Sequence, residues 1–363
     1  MPEADHPLSL CWPHTHRLPR SSDILPDMDI PPITPFDAEG GLVFATRMPG
    51  EPGDFDEKKR GWSDLGYPES GPPLWVHLDL TRPHSQSWLR SESGVDPIVA
   101  ESLLAEETRP RVQEFGEGVL VILRGINSNP GAEHDELIAM RLWLEPTRII
   151  TLREYRFQTI AALRVRAQKG DAPTTAGGFL VAVAGSLASN MSPTIVNLEE
   201  RLDEIEERML EHETDDPRWR SQLATIRRQA ISYRRHIVPQ RDALARLVHN
   251  APAILSTRDQ AELRVAMEQS TRVAEALEEM RDRAAVTQEE MRARHDARVG
   301  KTVYMLTVVA TIALPLGLIT GLLGINVGGI PLEGSVWGFA MVCLILVLIA
   351  IGQIVLFKFM KWL

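Results

Sequence analysis

Two apolar runs near the C-terminus, Tyr304 to Leu323 and Val336 to Phe357, constrain this 363-residue chain more than any other feature. Neither run carries a charge, and each is about twenty residues long, the length a helix needs to cross a hydrocarbon core. The short segment Gly324-Ile325-Asn326-Val327-Gly328-Gly329-Ile330-Pro331 follows the first run. The expected C-terminal architecture is a two-helix transmembrane hairpin: a first span over 304–323, an external loop over 324–335, a second span over 336–357 and a basic end over 358–363.

The rest reads as soluble. Ala176 to Ala188 is the nearest approach to a further span, but glycines and Ser186 interrupt it, so a buried core helix is expected. Arg292, Arg294, Arg298 and Lys301 precede the first span and Lys358 and Lys361 follow the second, whereas the loop between carries only Glu333. Positive residues stay on the cytoplasmic side, which places both termini there and the loop outside. The first residues are rich in Pro and His and have no apolar core, so no secretory signal is expected and 1–39 reads as a disordered tail.

A formal net charge of −10 argues against nucleic acid as a partner, because phosphate binding needs a basic face. The two cysteines, Cys11 in the tail and Cys343 in the second span, have no means of meeting. There is no Gly-rich phosphate loop, no Gly-x-Ser-x-Gly elbow and no His-Glu-x-x-His. An enzyme is therefore not expected, and no resident cofactor is implied.

Between residues 40 and 172, β-type runs alternate with turn signals: Gly41 to Ala45, Leu74 to Leu80, Val119 to Leu123, Leu137 to Leu144 and Arg148 to Leu152. Helical segments intervene at Asp96 to Leu104 and Phe157 to Lys169, giving an N-terminal α/β cytoplasmic domain. A helical hairpin is expected over 173–257, with breaks at Asp215-Asp216-Pro217 and Asn250-Ala251-Pro252. Its first arm is acidic, through Glu199, Glu200, Asp203, Glu204, Glu206, Glu207 and Glu211. The second is basic, with Arg218, Arg220, Arg227, Arg228, Arg234, Arg235, Arg241 and Arg246. Two readings remain open: complementary faces, or solvated helices with surface ion pairs worth little.

From Arg258 no strong break precedes Leu323, so 258–303 reads as the cytoplasmic part of one long helix that continues into the first span. Leu263, Ala266, Val273, Leu277, Met280, Ala284 and Met291 form an apolar seam, interrupted by Ser270 and Thr287. Opposite it, Glu268, Glu275, Asp282, Glu289 and Asp296 recur every seven residues. The same count continues through Val303, Ala310, Gly317 and Gly324, with Thr307, Leu314 and Gly321 between them on that face. A face that is acidic outside the membrane and small inside it suits a cation path, since carboxylates concentrate cations and small residues allow helices to approach. It equally describes a solvated helix face. Two spans cannot enclose a pore, so a path would require a homo-oligomer.

Gly324-Ile325-Asn326 at the outer end of the penultimate span, Pro315 within that span and the closing Lys361-Trp362-Leu363 resemble the CorA-type superfamily of divalent-metal transporters. Its usual signature is Gly-Met-Asn. Ile in place of Met, followed by Gly328-Gly329-Ile330-Pro331, is similar to the zinc-transport ZntB branch. Further matches are Arg109-Pro110-Arg111, Leu123-Arg124-Gly125-Ile126-Asn127, Arg141-Leu142-Trp143 and the stretch from Arg227-Arg228 to Pro239.

The resemblance implies an α+β membrane protein, a homopentamer whose long helices form a cytoplasmic funnel and whose first spans line a central pore in the bilayer of the cytoplasmic (inner) membrane. Asn326 would supply an amide ring at the outer mouth that accepts hydrogen bonds from a hydrated divalent ion, with Gly324 allowing close approach and Glu333 adding attraction. Val303, Thr307, Ala310, Leu314, Gly317 and Gly321 would line the pore, Leu314 as an apolar constriction. Zn²⁺ is the expected cargo, moved with or without protons. Transport of Mg²⁺, Co²⁺ or Ni²⁺ by the same fold is the alternative, because the spans carry no His. A membrane-anchored coiled-coil scaffold or sensor is the reading from another class.

Overall fold

The computed structural model describes residues 40–48, 61–66, 68, 71–127, 129, 131–132, 136–211, 216–325 and 336–359. The expected tail, the loop residues 326–335 with Asn326 and Glu333, and Lys361-Trp362-Leu363 lie outside the described residues. The chain divides into two units, Met1–Ala285 and Val286–Leu363.

The first unit is built on a six-stranded mixed sheet in the order β1-β2-β6-β5-β4-β3. Its strands are β1 (Leu42–Arg47), β2 (Leu74–Asp79), β3 (Arg111–Phe115), β4 (Gly118–Ile126), β5 (Leu137–Leu144) and β6 (Arg148–Arg153). β2 and β6 pair in parallel, and every other neighbour is antiparallel. Both faces are covered, which is why the central strands read as nearly unbroken apolar runs. Along β4, Val119, Val121 and Leu123 face one core while Leu120 and Ile122 face the other.

On one face lie α1 (Pro83–Ser91) and α2 (Pro97–Leu104), which bury Trp88, Leu89, Val99 and Leu103 against the sheet. Asp96 caps α2, its carboxylate accepting from the Ile98 N–H at 2.7 Å. The sequence reading contained neither α1 nor β3. Pro83 at the first helical turn was the available signal for α1. The strand β3 is short, with only Val112 buried, so its alternation is weak.

On the other face lie α3 (Gln158–Gln168), α4 (Ala176–Glu211), α5 (Pro217–Asn250) and the start of α6 (Thr257–Leu323). By length and composition α4 could cross a membrane, yet Phe179, Leu180, Val183, Ala184 and Leu187 are buried in the core beneath the sheet. Asp216 caps α5, and Ala251, at φ +47°, ends it in the left-handed region.

Ion pairs tie both arms of the α4–α5 pair to α6: Arg283 meets Asp203 and Glu206, each at 2.5 Å, and Arg234 meets Glu278 at 3.2 Å. The arms themselves bury apolar residues, Leu198, Leu202 and Ile205 on α4 and Leu223, Ile226 and Tyr233 on α5. Of the two readings of this charge pattern, surface pairing beside an apolar interface describes it better.

The family-like motifs of this unit are architectural. Gln240 of α5 accepts the Arg124 backbone N–H at 2.6 Å, and the Arg124 guanidinium donates to the carbonyls of Leu137 and Thr108. Arg141 donates to the Leu103 carbonyl at 2.7 Å, satisfying the end of α2. A Cβ on Gly125 would stand 2.6 Å from Leu187 and 2.9 Å from Phe157, so that strand position requires glycine to let helices α3 and α4 approach.

Candidate ion-conduction helix

The apolar seam of α6 is buried throughout: Leu263, Ala266, Ser270, Val273, Leu277, Met280, Ala284, Thr287 and Met291. Ser270 fits there because its hydroxyl donates to the Ala266 carbonyl one turn back at 2.9 Å. The acids on the opposite face, Glu268, Glu275, Asp282, Glu289 and Asp296, are all exposed. They are not equivalent. Asp282 accepts from Arg281 at 2.7 Å, and Glu289 lies 3.7 Å from Arg292, so part of the negative charge on this face is compensated by arginines of the same helix.

In the second unit, α6 continues to Leu323 and is joined by α7 (Gly338–Phe359), whose ends fall two residues C-terminal to the expected second span. The apolar stretches of both helices have the length and composition of membrane spans, and none of their most apolar windows is buried. Leu306, Leu314, Leu318, Leu344 and Leu348 are all more than half exposed. Apolar surface on this scale needs lipid or further protein around it.

Partial burial divides α6 into two faces. Val308, Ile312, Pro315, Leu316 and Ile319 are half-buried, and their spacing of four, three, one and three puts them on a single side. On α7 the half-buried row is Val342, Cys343, Leu346, Ile349, Ala350 and Gln353. These rows face one another across the hairpin, pinned where Gln353 Nε2 donates to the Thr311 carbonyl at 3.4 Å.

The sequence-derived lining residues Val303, Thr307, Ala310, Leu314, Gly317 and Gly321 all lie on the exposed side of α6, turned away from α7. Val303 is 56% and Leu314 72% exposed. A Cβ at Gly317 or Gly321 would meet nothing within 4 Å among the described residues, so packing among them does not explain either glycine. The Thr307 hydroxyl donates to the Val303 carbonyl at 2.8 Å. Gly324 closes the helix, its N–H donating to the Thr320 carbonyl at 2.9 Å, and Ile325 is exposed. Among the described residues no group of three or more His, Cys, Asp or Glu is arranged to hold a metal ion.

Gln353 was absent from the sequence-derived site. A lone amide inside an uncharged apolar run is the sequence signal that singles it out.

Residues 71–361 match the family described as CorA-like Mg²⁺ transporter protein. The divalent cation transporter CmaX of Pseudomonas aeruginosa is 33% identical over 328 residues, covering 90% of this chain and 98% of that protein. The zinc transport protein ZntB of Yersinia enterocolitica is 32% identical over 291 residues, covering 80% and 88%. The solved structure of full-length CmaX aligns with a TM-score of 0.77 at 32% identity, over 90% of this chain and 99% of that one. The CorA magnesium transporter of Methanocaldococcus jannaschii, at 18% identity and a TM-score of 0.68 over 81% and 93%, shares the fold. The chain belongs to the CorA-like family, on its ZntB branch: a divalent-cation transporter of the membrane, and not an enzyme.

Proposed function

We propose that the chain carries Zn²⁺ across the cytoplasmic membrane through a central pore lined by α6 in a homopentamer, with both termini cytoplasmic. The observation that carries this reading is the small, exposed face of α6 opposite its α7-facing row, with Gly317 and Gly321 open to space that no part of the described chain fills. Five such faces around an axis form a narrow lumen. Its chemistry is hydroxyl, backbone and methyl, which suits an ion that keeps its water shell. Asn326 at the mouth, with Gly324 and Ile325, would accept hydrogen bonds from that shell, and Glu333 would draw the ion in.

Zinc is supported by the ZntB relatives, which are named as zinc transport proteins. The donor set on the pore face supports a second cargo class, Mg²⁺, Co²⁺ or Ni²⁺, because it offers neither imidazole nor thiolate. A dication moving toward a negative interior gains about 2.3 kcal/mol per charge per 100 mV, so entry needs no other driving force.

The deciding experiment is uptake of Zn²⁺ and Mg²⁺ into proteoliposomes, with and without a pH gradient, for the parent and for Asn326→Ala. Zn²⁺ flux that responds to the gradient and is lost in Asn326→Ala supports a proton-linked zinc pathway through this mouth. Mg²⁺ flux that follows voltage alone assigns the second cargo class. No flux of either ion would leave a membrane-anchored scaffold as the surviving reading.

A further inference from the structure

Among the described residues three helices contain an internal proline, and each leaves the carbonyl four residues earlier without its helical donor, because proline has no N–H. For Pro193 in α4 and Pro239 in α5 that carbonyl belongs to Ser189 and Arg235, both exposed in the first unit, where water can serve. For Pro315 it belongs to Thr311, in the middle of the first apolar run. No water serves a carbonyl in hydrocarbon, and an unsatisfied one is costly there.

The Thr311 hydroxyl gives no help, since it donates to the Thr307 carbonyl at 2.7 Å. The donor comes from the other helix. Gln353 Nε2, from α7, donates to the Thr311 carbonyl at 3.4 Å, while Gln353 Oε1 is buried with no partner among the described residues. An amide is costly in an otherwise apolar membrane helix, and with one end unused the bond made by its other end is what offsets that cost.

We propose that Gln353 is a positioning residue for ion passage: it replaces the hydrogen bond that Pro315 removes and so fixes the direction of α6 beyond its proline. Leu314 and Gly317 flank Pro315, so the segment held in place is the one that carries the proposed constriction. The inference rests on the reading of α6 as the pore-lining helix, but the hydrogen bond can be tested apart from it.

The test uses the full chain in lipid nanodiscs and proteoliposomes, with Gln353→Leu, Pro315→Ala and the double variant. Leucine is more apolar than glutamine, so the helix still inserts. In Gln353→Leu, amide exchange over residues 312–323 is expected to quicken about three-fold, the size of one interhelical hydrogen bond in a membrane. Ion flux is expected to fall by a similar factor in maximal rate, with half-saturation unchanged. An alanine N–H at position 315 serves Thr311 directly, so adding Gln353→Leu to Pro315→Ala should change neither measurement.

Parent-level flux in Gln353→Leu overturns the proposal, as does an effect that persists undiminished beside Pro315→Ala. If the parent itself moves no ion, the pore reading is what fails. Exchange then decides the hydrogen bond alone: quickened exchange that Pro315→Ala cancels upholds it, and unchanged exchange overturns it.

Discussion

His77 Nδ1 and Thr151 Oγ1 lie 2.8 Å apart across the parallel strands β2 and β6, with the Trp75 indole N–H donating to the same hydroxyl at 2.9 Å. The imidazole is 2% exposed. Burial, and then the charge of Arg153, push its pKa down from 6.5 to about 3. Folded His77 therefore stays neutral until about pH 3, while the unfolded imidazole takes up a proton near pH 6.5. Between those values the unfolded state binds more protons, so stability falls as pH falls. This group contributes a slope of up to about 1.4 kcal/mol per pH unit in that window. Denaturant unfolding of the full chain in detergent, followed from pH 7 to pH 4, should show a shallower loss for His77→Gln than for the parent. Equal slopes would remove His77 from the pH response.

At the start of the same strand β6, Arg148 Nε donates to Glu145 at 2.8 Å and its Nη1 to the Ser93 carbonyl at 2.7 Å, with the two side chains 1% and 10% exposed. Arg148→Met keeps the aliphatic volume but leaves the Glu145 carboxylate buried beside an apolar chain. Removing one member of a buried pair costs about 3–5 kcal/mol. A lowered denaturation midpoint is the expected result, and a double variant with Glu145→Gln should recover part of the loss. A midpoint within experimental scatter of the parent would show that water replaces the guanidinium there.

The parts of this structure that sequence reveals are those where one face of an element decides its placement. The α6 seam was legible because burial on one side of a long helix writes a repeat of three and four, and continuing that count picks out the exposed face from Val303 to Gly321; that this face lines a pore stands as a proposal. The strands β2, β4, β5 and β6 were legible as apolar runs because helices cover both sides. Two things were hidden, one because it depends on side-chain rotamers and the other because its partner is distant in sequence. Arg281 and Arg292 temper the acids Asp282 and Glu289 only once rotamers bring them together, and Gln353 finds Thr311 only across the hairpin. The mouth residues Asn326 and Glu333 were read from a three-residue motif and its loop, and they stand as proposals.

Among the acids of α6, the pairing pattern orders the expected effects of neutralisation. Glu268 and Glu275 are exposed, whereas Asp282 already holds Arg281 at 2.7 Å. Glu268→Gln with Glu275→Gln should slow cation flux at low ionic strength more than Asp282→Asn does, because the pair removes two negative charges from this face and the single variant removes one that sits beside Arg281. At about 1 M salt the Debye length shrinks to about 3 Å and both differences should vanish. Flux that ignores all three substitutions at low salt would make this an ordinary solvated face.

Leu314 offers the sharpest test of the lumen itself. It is 72% exposed in the single chain, on the face turned from α7, and the residues one turn to either side, Ala310 and Gly317, are small. A ring of leucines flanked by small residues is the narrowest and least wettable level such a pore could have, and apolar constrictions hold back ions by excluding water. Leu314→Asn replaces that ring with polar amides of the same branched shape and smaller volume, so the barrier to hydration drops without any change in the helix packing against α7. Basal flux through proteoliposomes should rise, about ten-fold if wetting lowers the barrier by about 1.4 kcal/mol, and selectivity between Zn²⁺ and Mg²⁺ should weaken. If Leu314 instead faces lipid, the same substitution exposes an amide to hydrocarbon, and the expected result reverses: lower yield and poorer assembly, with no gain in flux in the protein that remains.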